Sequence, residues 1–185
     1  MKWIGLAGSL LFLGAAIASS AKEEEWSLLI GGGIQGYLSP CGCTEPMQGG
    51  IRRKVSAYQT LTPEARTTRI ELGPLSSGSA RQDELKIEAT VEALAAGGVN
   101  AISFSAEELR FGAAMAANLG RISRSKLVSS GFLSDFSQPS IAHGPFLIGS
   151  WDPKGSQAAS RLGFETLTEA EALSGMLPEA DLPDL

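Results

Sequence analysis

The chain has 185 residues, 43% hydrophobic and 19% charged, with a formal net charge of -5. This length holds one domain and a tail rather than two full domains, and the balance excludes a disordered chain. The acidic surplus excludes a nucleic-acid footprint; the local basic runs, Arg52-Arg53-Lys54 and Arg121 to Lys126, read as solvated surface.

Met1-Lys2 is a short positive start, and residues 3–21 carry no charge. They include Leu10-Leu11-Phe12-Leu13 and end in Ala18-Ser19-Ser20-Ala21, before the charged Lys22-Glu23-Glu24-Glu25. That is the anatomy of a signal peptide, or of an uncleaved anchor, since 19 uncharged residues just span a bilayer. The expected setting is extracytoplasmic, either periplasmic or secreted, or held at the membrane through residues 3–21.

Trp26 to Ile30 is an apolar strand running into Gly31-Gly32-Gly33. A loop with Pro40, Cys41, Gly42, Cys43 and Pro46 leads to Gly49-Gly50 and a helix from Ile51 to Leu61, ended by Pro63. Arg66 to Leu72 alternates as a strand and stops at Gly73-Pro74. Gln82 to Ala96 is an amphipathic helix, with Ile87, Val91, Leu94 and Ala95 on one face and Gly97-Gly98 as its cap. Val99 to Phe104 is the third strand. Ser105 and Glu108 make a capping box for a helix running to about Leu119. Lys126 to Ser130 and Phe146 to Ser150 read as short strands, and Thr168 with Glu171 caps a last short helix. Strand and helix alternate three times, which predicts an α/β layered sheet, largely parallel, with flanking helices. The expected organisation is a leader over 1–21, an α/β domain over 22–153, and an acidic C-terminal tail with a short helix over 154–185. Ligand sites on such sheets lie in the loops after the strand C-termini.

Gly31, Gly33 and Gly36 match G-x-G-x-x-G, but Pro40 prevents the helix that a dinucleotide site needs, so these glycines read as a turn. No cofactor is assigned. Cys41 and Cys43, the two cysteines of the chain, leave three readings open. They form a local disulfide across Gly42, a redox-active pair, or half of a thiolate metal site completed by His143 or a carboxylate. His143, the one histidine, lies in a predicted loop, Ile141 to Pro145, and reads as a bystander. Asp83-Glu84 and Glu107-Glu108 fall in first turns of helices, where acidic residues complement the helix dipole.

In this order the segments resemble the N-terminal domain of calcineurin-like metallophosphoesterases, in particular the exported 5'-nucleotidase branch, over roughly residues 26–153. The resemblance rests on Gly36-Tyr37-Leu38, Pro40, the Pro-Cys-Gly-Cys loop found in a subset of that family, Gly49-Gly50-Ile51-Arg52-Arg53, Gly73-Pro74, Ser105 to Glu108 and Val128 to Gly131. It implies an α/β fold with two metal ions that activate water for phosphoester attack. At the family's ligand positions this chain carries Gly33, Gln35, Pro74, Ala106 and Glu107, and a single histidine serves the whole chain. The resemblance therefore implies a pseudoenzyme: an exported, non-catalytic binding or accessory domain with a protein partner, in a membrane-associated complex if the leader is retained. One alternative is a thiol-redox or metal-handling protein using Cys41 and Cys43. Another is residual phosphoesterase action through Glu107, Glu108 and His143.

Overall fold

A computed structural model of the chain describes residues 25–40, 42–43, 45–47, 49–61, 66–129 and 131–174. The leader at 1–21, Cys41 and the end of the chain from 175 lie outside these residues. Among the described residues no helix is long and apolar enough to cross a membrane.

The chain runs β1 (Ser27–Gly31), α1 (Ile51–Leu61), β2 (Thr67–Glu71), α2 (Arg81–Ala96), β3 (Ala101–Ser103), α3 (Ala106–Leu109), α4 (Ala113–Ile122), β4 (Leu127–Val128), β5 (Ser140–His143), β6 (Phe146–Gly149), α5 (Pro153–Arg161) and α6 (Glu169–Ser174). β1 to β4 form a parallel sheet in the order of the sequence, and β5 and β6 form an antiparallel hairpin. The α/β reading with a parallel sheet and flanking helices therefore holds.

Residues alternate between the two faces of a strand, so the register sorts the side chains into two layers. Leu29, Ile102 and Leu127 point to α1, α2 and α4, and pack with Tyr58, Val91, Leu94 and Leu119 in the main core. Ile70, Ala101 and Val128 point the other way, onto Ile141, Phe146 and Ile148 of the hairpin. Leu28 and Ile30 pair with Thr68 and Ile70 and so share that second face, but they are 45% and 55% exposed.

Three expectations need correction. The helix predicted from Ser105 to about Leu119 is two helices, broken where Gly112 takes φ +87°, a conformation that side-chain-bearing residues avoid. His143 is not in a loop but ends β5, with Gly144-Pro145 forming the hairpin turn. The segment after 153 begins as helix α5, capped by Asp152, which accepts the Lys154 N–H at 3.0 Å. Ala159 of α5 is fully buried in the main core, so the domain continues past the predicted boundary. The cap of the last helix is as expected: Thr168 N–H and Oγ1 both donate to Glu171, at 2.7 and 2.8 Å.

Candidate functional site

Because β1 to β4 are parallel, their C-terminal ends lie along one edge, and the turns leaving them meet there. The turn after β1 is tied to the turn after β2: Gln35 N–H donates to Pro74 O at 3.2 Å, and Gly36 N–H donates to Leu75 O at 2.8 Å. The turn after β2 is tied in turn to α3. Glu108 Oε1 accepts the Leu75 N–H at 2.8 Å, while Oε2 accepts the Ser105 N–H at 3.0 Å. Glu108 is fully buried. Burial pushes its carboxyl above the usual value, and the hydrogen bonds from Ser105 and Leu75 oppose that rise. The helix-dipole reading of the Glu107-Glu108 pair is thus too small a role for Glu108, which fastens two loops together. Glu107 is outward and ion-paired to Arg110, whose other branch donates to Ser76 O at 2.9 Å. Ala106 N–H donates to Asp152 Oδ2 at 3.0 Å.

One ion pair beside this edge departs from the sequence reading, which took Lys54 as solvated surface and gave Glu71 no role. Glu71, at the end of β2, is fully buried and accepts from Lys54 Nζ at 2.6 Å and from Tyr58 Oη at 2.8 Å. Burial first, and then the neighbouring Glu71 carboxylate, raises the Tyr58 phenol well above its ordinary range. Lys54 and Tyr58 are one helical turn apart on α1, so both reach the same carboxylate. A Lys-x-x-x-Tyr pair on a helix that follows one strand, with a strand ending in Glu next in the chain, is the signal that could have found the trio. Gly31 sits over it: a Cβ there would stand 1.8 Å from Tyr58 Oη, so only glycine fits.

Lys54 also donates to Gly32 O at 3.1 Å and lines a cleft of about 590 Å³ beside the end of β1. Gly33, Tyr37, Gly49, Ile51 and Arg53 line it too. Arg53 donates to Met47 O, which ties Met47 to the start of α1. Cys43, between β1 and α1, is exposed. Its pairing with Cys41 lies outside the described residues.

All five positions that the resemblance matches to the family's ligands, Gly33, Gln35, Pro74, Ala106 and Glu107, belong to these three linked turns. His143 is elsewhere. Its Nδ1 lies 2.8 Å from Thr68 Oγ1, near the start of β2, and its ring meets Trp26 edge-on at 6.0 Å, just before β1. The structure therefore brings His143 neither to the cysteine loop nor to Glu107 and Glu108, because the hairpin carries it toward the opposite end of the strands.

The dinuclear metal site implied by the resemblance does not fit these residues. Gly33, Pro74 and Ala106 have no donor atom in their side chains. Glu107 is paired with Arg110, Glu71 with Lys54 and Tyr58, and Glu108 with backbone N–H groups. Among the described residues no three His, Cys, Asp or Glu side chains are grouped to hold one ion. Comparison with family models, with curated proteins and with solved structures finds no match for the chain.

Proposed function

We propose that this chain is an exported, non-catalytic binding or accessory domain on a degenerate metallophosphoesterase scaffold, and that the cleft beside β1 is its binding face. The observation that carries the reading is the joining of the three turns, Gln35 to Pro74 and Leu75 to Glu108, around positions that hold Gly33, Gln35, Pro74, Ala106 and Glu107. The turns that would present metal ligands are built and braced, while the side chains that would do the chemistry are absent. Such a chain keeps the scaffold's shape for recognition and supplies a cleft lined by Arg53 and by Lys54, the latter already paired with Glu71. The partner is a protein, and a retained leader would hold the complex at the membrane.

The test is phosphate release from nucleoside monophosphates and from an aryl phosphodiester, with manganese, zinc or magnesium added. The expected rate equals that of metal alone. Turnover that scales with protein and is lost on Glu107→Gln would overturn the reading in favour of a rebuilt phosphoesterase.

The exposure of Cys43 supports a second reading, a thiol-redox or metal-handling protein. Alkylation without reductant separates the two. No added mass means that Cys41 and Cys43 are oxidised. Two added groups, together with loss of function in the Cys41→Ser, Cys43→Ser double variant, favour thiol chemistry.

A further inference from the structure

The first strand of the sheet is an open edge. Among the described residues β1 pairs with β2 alone. Gly31 O accepts the Leu72 N–H at 2.8 Å, so Gly31 turns its backbone groups toward β2, and so, by alternation, do Leu29 and Ser27. Leu28 and Ile30 therefore turn their N–H and C=O groups away from the sheet. These are also the two residues of β1 with exposed side chains. Edge strands are normally blunted by a charge, a proline or a bulge, and Ser27 to Gly31 has none of these.

We propose that two copies of this chain join through β1, antiparallel across a two-fold axis at Leu29. In this register Leu28 stands opposite Ile30 of the partner subunit, and Ile30 stands opposite the partner's Leu28. Each of these pairs exchanges two backbone hydrogen bonds, as the outward-facing groups require. The same pairs set one exposed aliphatic side chain against another on one face, so backbone and side-chain complementarity select one register.

Charge follows the same geometry. The register carries the exposed Glu25 of one copy to Gly33 of the partner subunit, at the rim of the cleft lined by Arg53 and Lys54. Each copy thus brings a carboxylate toward Arg53 of the other's cleft, Lys54 being already paired with Glu71. The joined sheet is closed at its far edges. β4 is only two residues long, and Gln138 covers it: its N–H donates to Leu127 O and its O accepts the Ser129 N–H, both at 2.9 Å. The assembly therefore stops at two copies and does not run on as a fibre.

The experiment uses the full chain, in mild detergent if it stays in the membrane fraction, with mass read by light scattering at roughly 100 μM, a concentration suited to a small interface. The expected mass is that of two chains. Ile30→Lys, at an exposed position, returns it to one chain with an unchanged circular dichroism spectrum. Leu29→Cys, in a chain with Cys41→Ser and Cys43→Ser, forms a disulfide-linked dimer under mild oxidation, because two-fold-related strand residues lie about 4.5 to 5.5 Å apart at their Cα atoms. Leu28→Cys and Ile30→Cys, each two residues out of register with its own copy, crosslink at least tenfold less. A single-chain mass with no Leu29→Cys crosslink overturns the proposal and leaves the edge to a different protein. A dimer that survives Ile30→Lys overturns the assignment to β1.

Discussion

Glu108 on α3 accepts the backbone N–H of Leu75 at 2.8 Å, so a side chain following the third strand fixes the position of the turn following the second. The same carboxylate caps its own helix through Ser105. Glu108 therefore braces the turn after the second strand alongside the Gln35–Pro74, Gly36–Leu75 and Arg110–Ser76 hydrogen bonds.

Removing that acceptor should be costly. Glu108→Ala leaves the buried Leu75 N–H and the half-buried Ser105 N–H without their acceptor and opens a void, for an expected loss of about 3 kcal/mol. Urea unfolding measures it. A loss below about 1 kcal/mol would show that water satisfies both groups and that the turn is not held by Glu108.

The same site predicts a pH dependence. Burial raises the Glu108 carboxyl, so the folded chain retains a proton that the unfolded chain has already released. Stability contributed at this site is therefore greatest below the ordinary carboxylate value of about 4.3, and it falls as pH rises from there through the raised value. Glu108→Gln lacks this titration, so the stability of the native chain relative to Glu108→Gln should decline as pH rises above about 4.3. A flat or rising difference would mean that the hydrogen bonds from Ser105 and Leu75 outweigh burial.

Lys54, half-buried, pairs with the fully buried Glu71, which cannot lose that partner without cost. Lys54→Met leaves the fully buried Glu71 with only Tyr58 as partner and should cost about 3 kcal/mol. Adding Glu71→Leu should recover part of that loss, since the uncompensated charge is then gone. A double-mutant cycle with no coupling would place the Lys54 ammonium in solvent.

Gly112 separates α3 from α4 at φ +87° and ψ 168°. A Cβ there meets no atom within 4 Å, so Gly112→Ala tests backbone strain without steric contact. The expected loss is about 1 to 3 kcal/mol. A neutral result in thermal unfolding would mean that the junction relaxes into one continuous helix.

Where apolar spacing was regular, the sequence was sufficient. α1 runs over the predicted Ile51 to Leu61, and α2 starts one residue before the predicted Gln82, because Ile87, Val91 and Leu94 fall on one face and are fully buried. The break at Gly112 was hidden by the strong capping box at Ser105 and Glu108, which marks where a helix starts and says nothing of where it stops. β5 was missed because Ser140 to His143 is four residues beside Gly144-Pro145 and takes its extended form from pairing with β6. α5, with Gly155 and two serines, has little intrinsic preference for helix and is set by its Asp152 cap and its contact with the core. The three turns of the site were placed by their order in the chain. The trio of Lys54, Tyr58 and Glu71 was not, because burial of a charge 17 residues from its partner is decided by packing.

Phe104, Phe132, Phe136 and Phe164 meet ring against ring, with centroids 5.4 to 6.4 Å apart across five of their pairs. The cluster joins the end of the third strand to the segment after the fourth and to the residues beyond α5. A chain cut at the boundary that the sequence suggests, after residue 153, would lose Phe164 and α5 and leave Phe132 and Phe136 facing water. The shortened protein would carry a sticky aromatic face of its own making, and any partner it captured through that face would be an artefact of the cut.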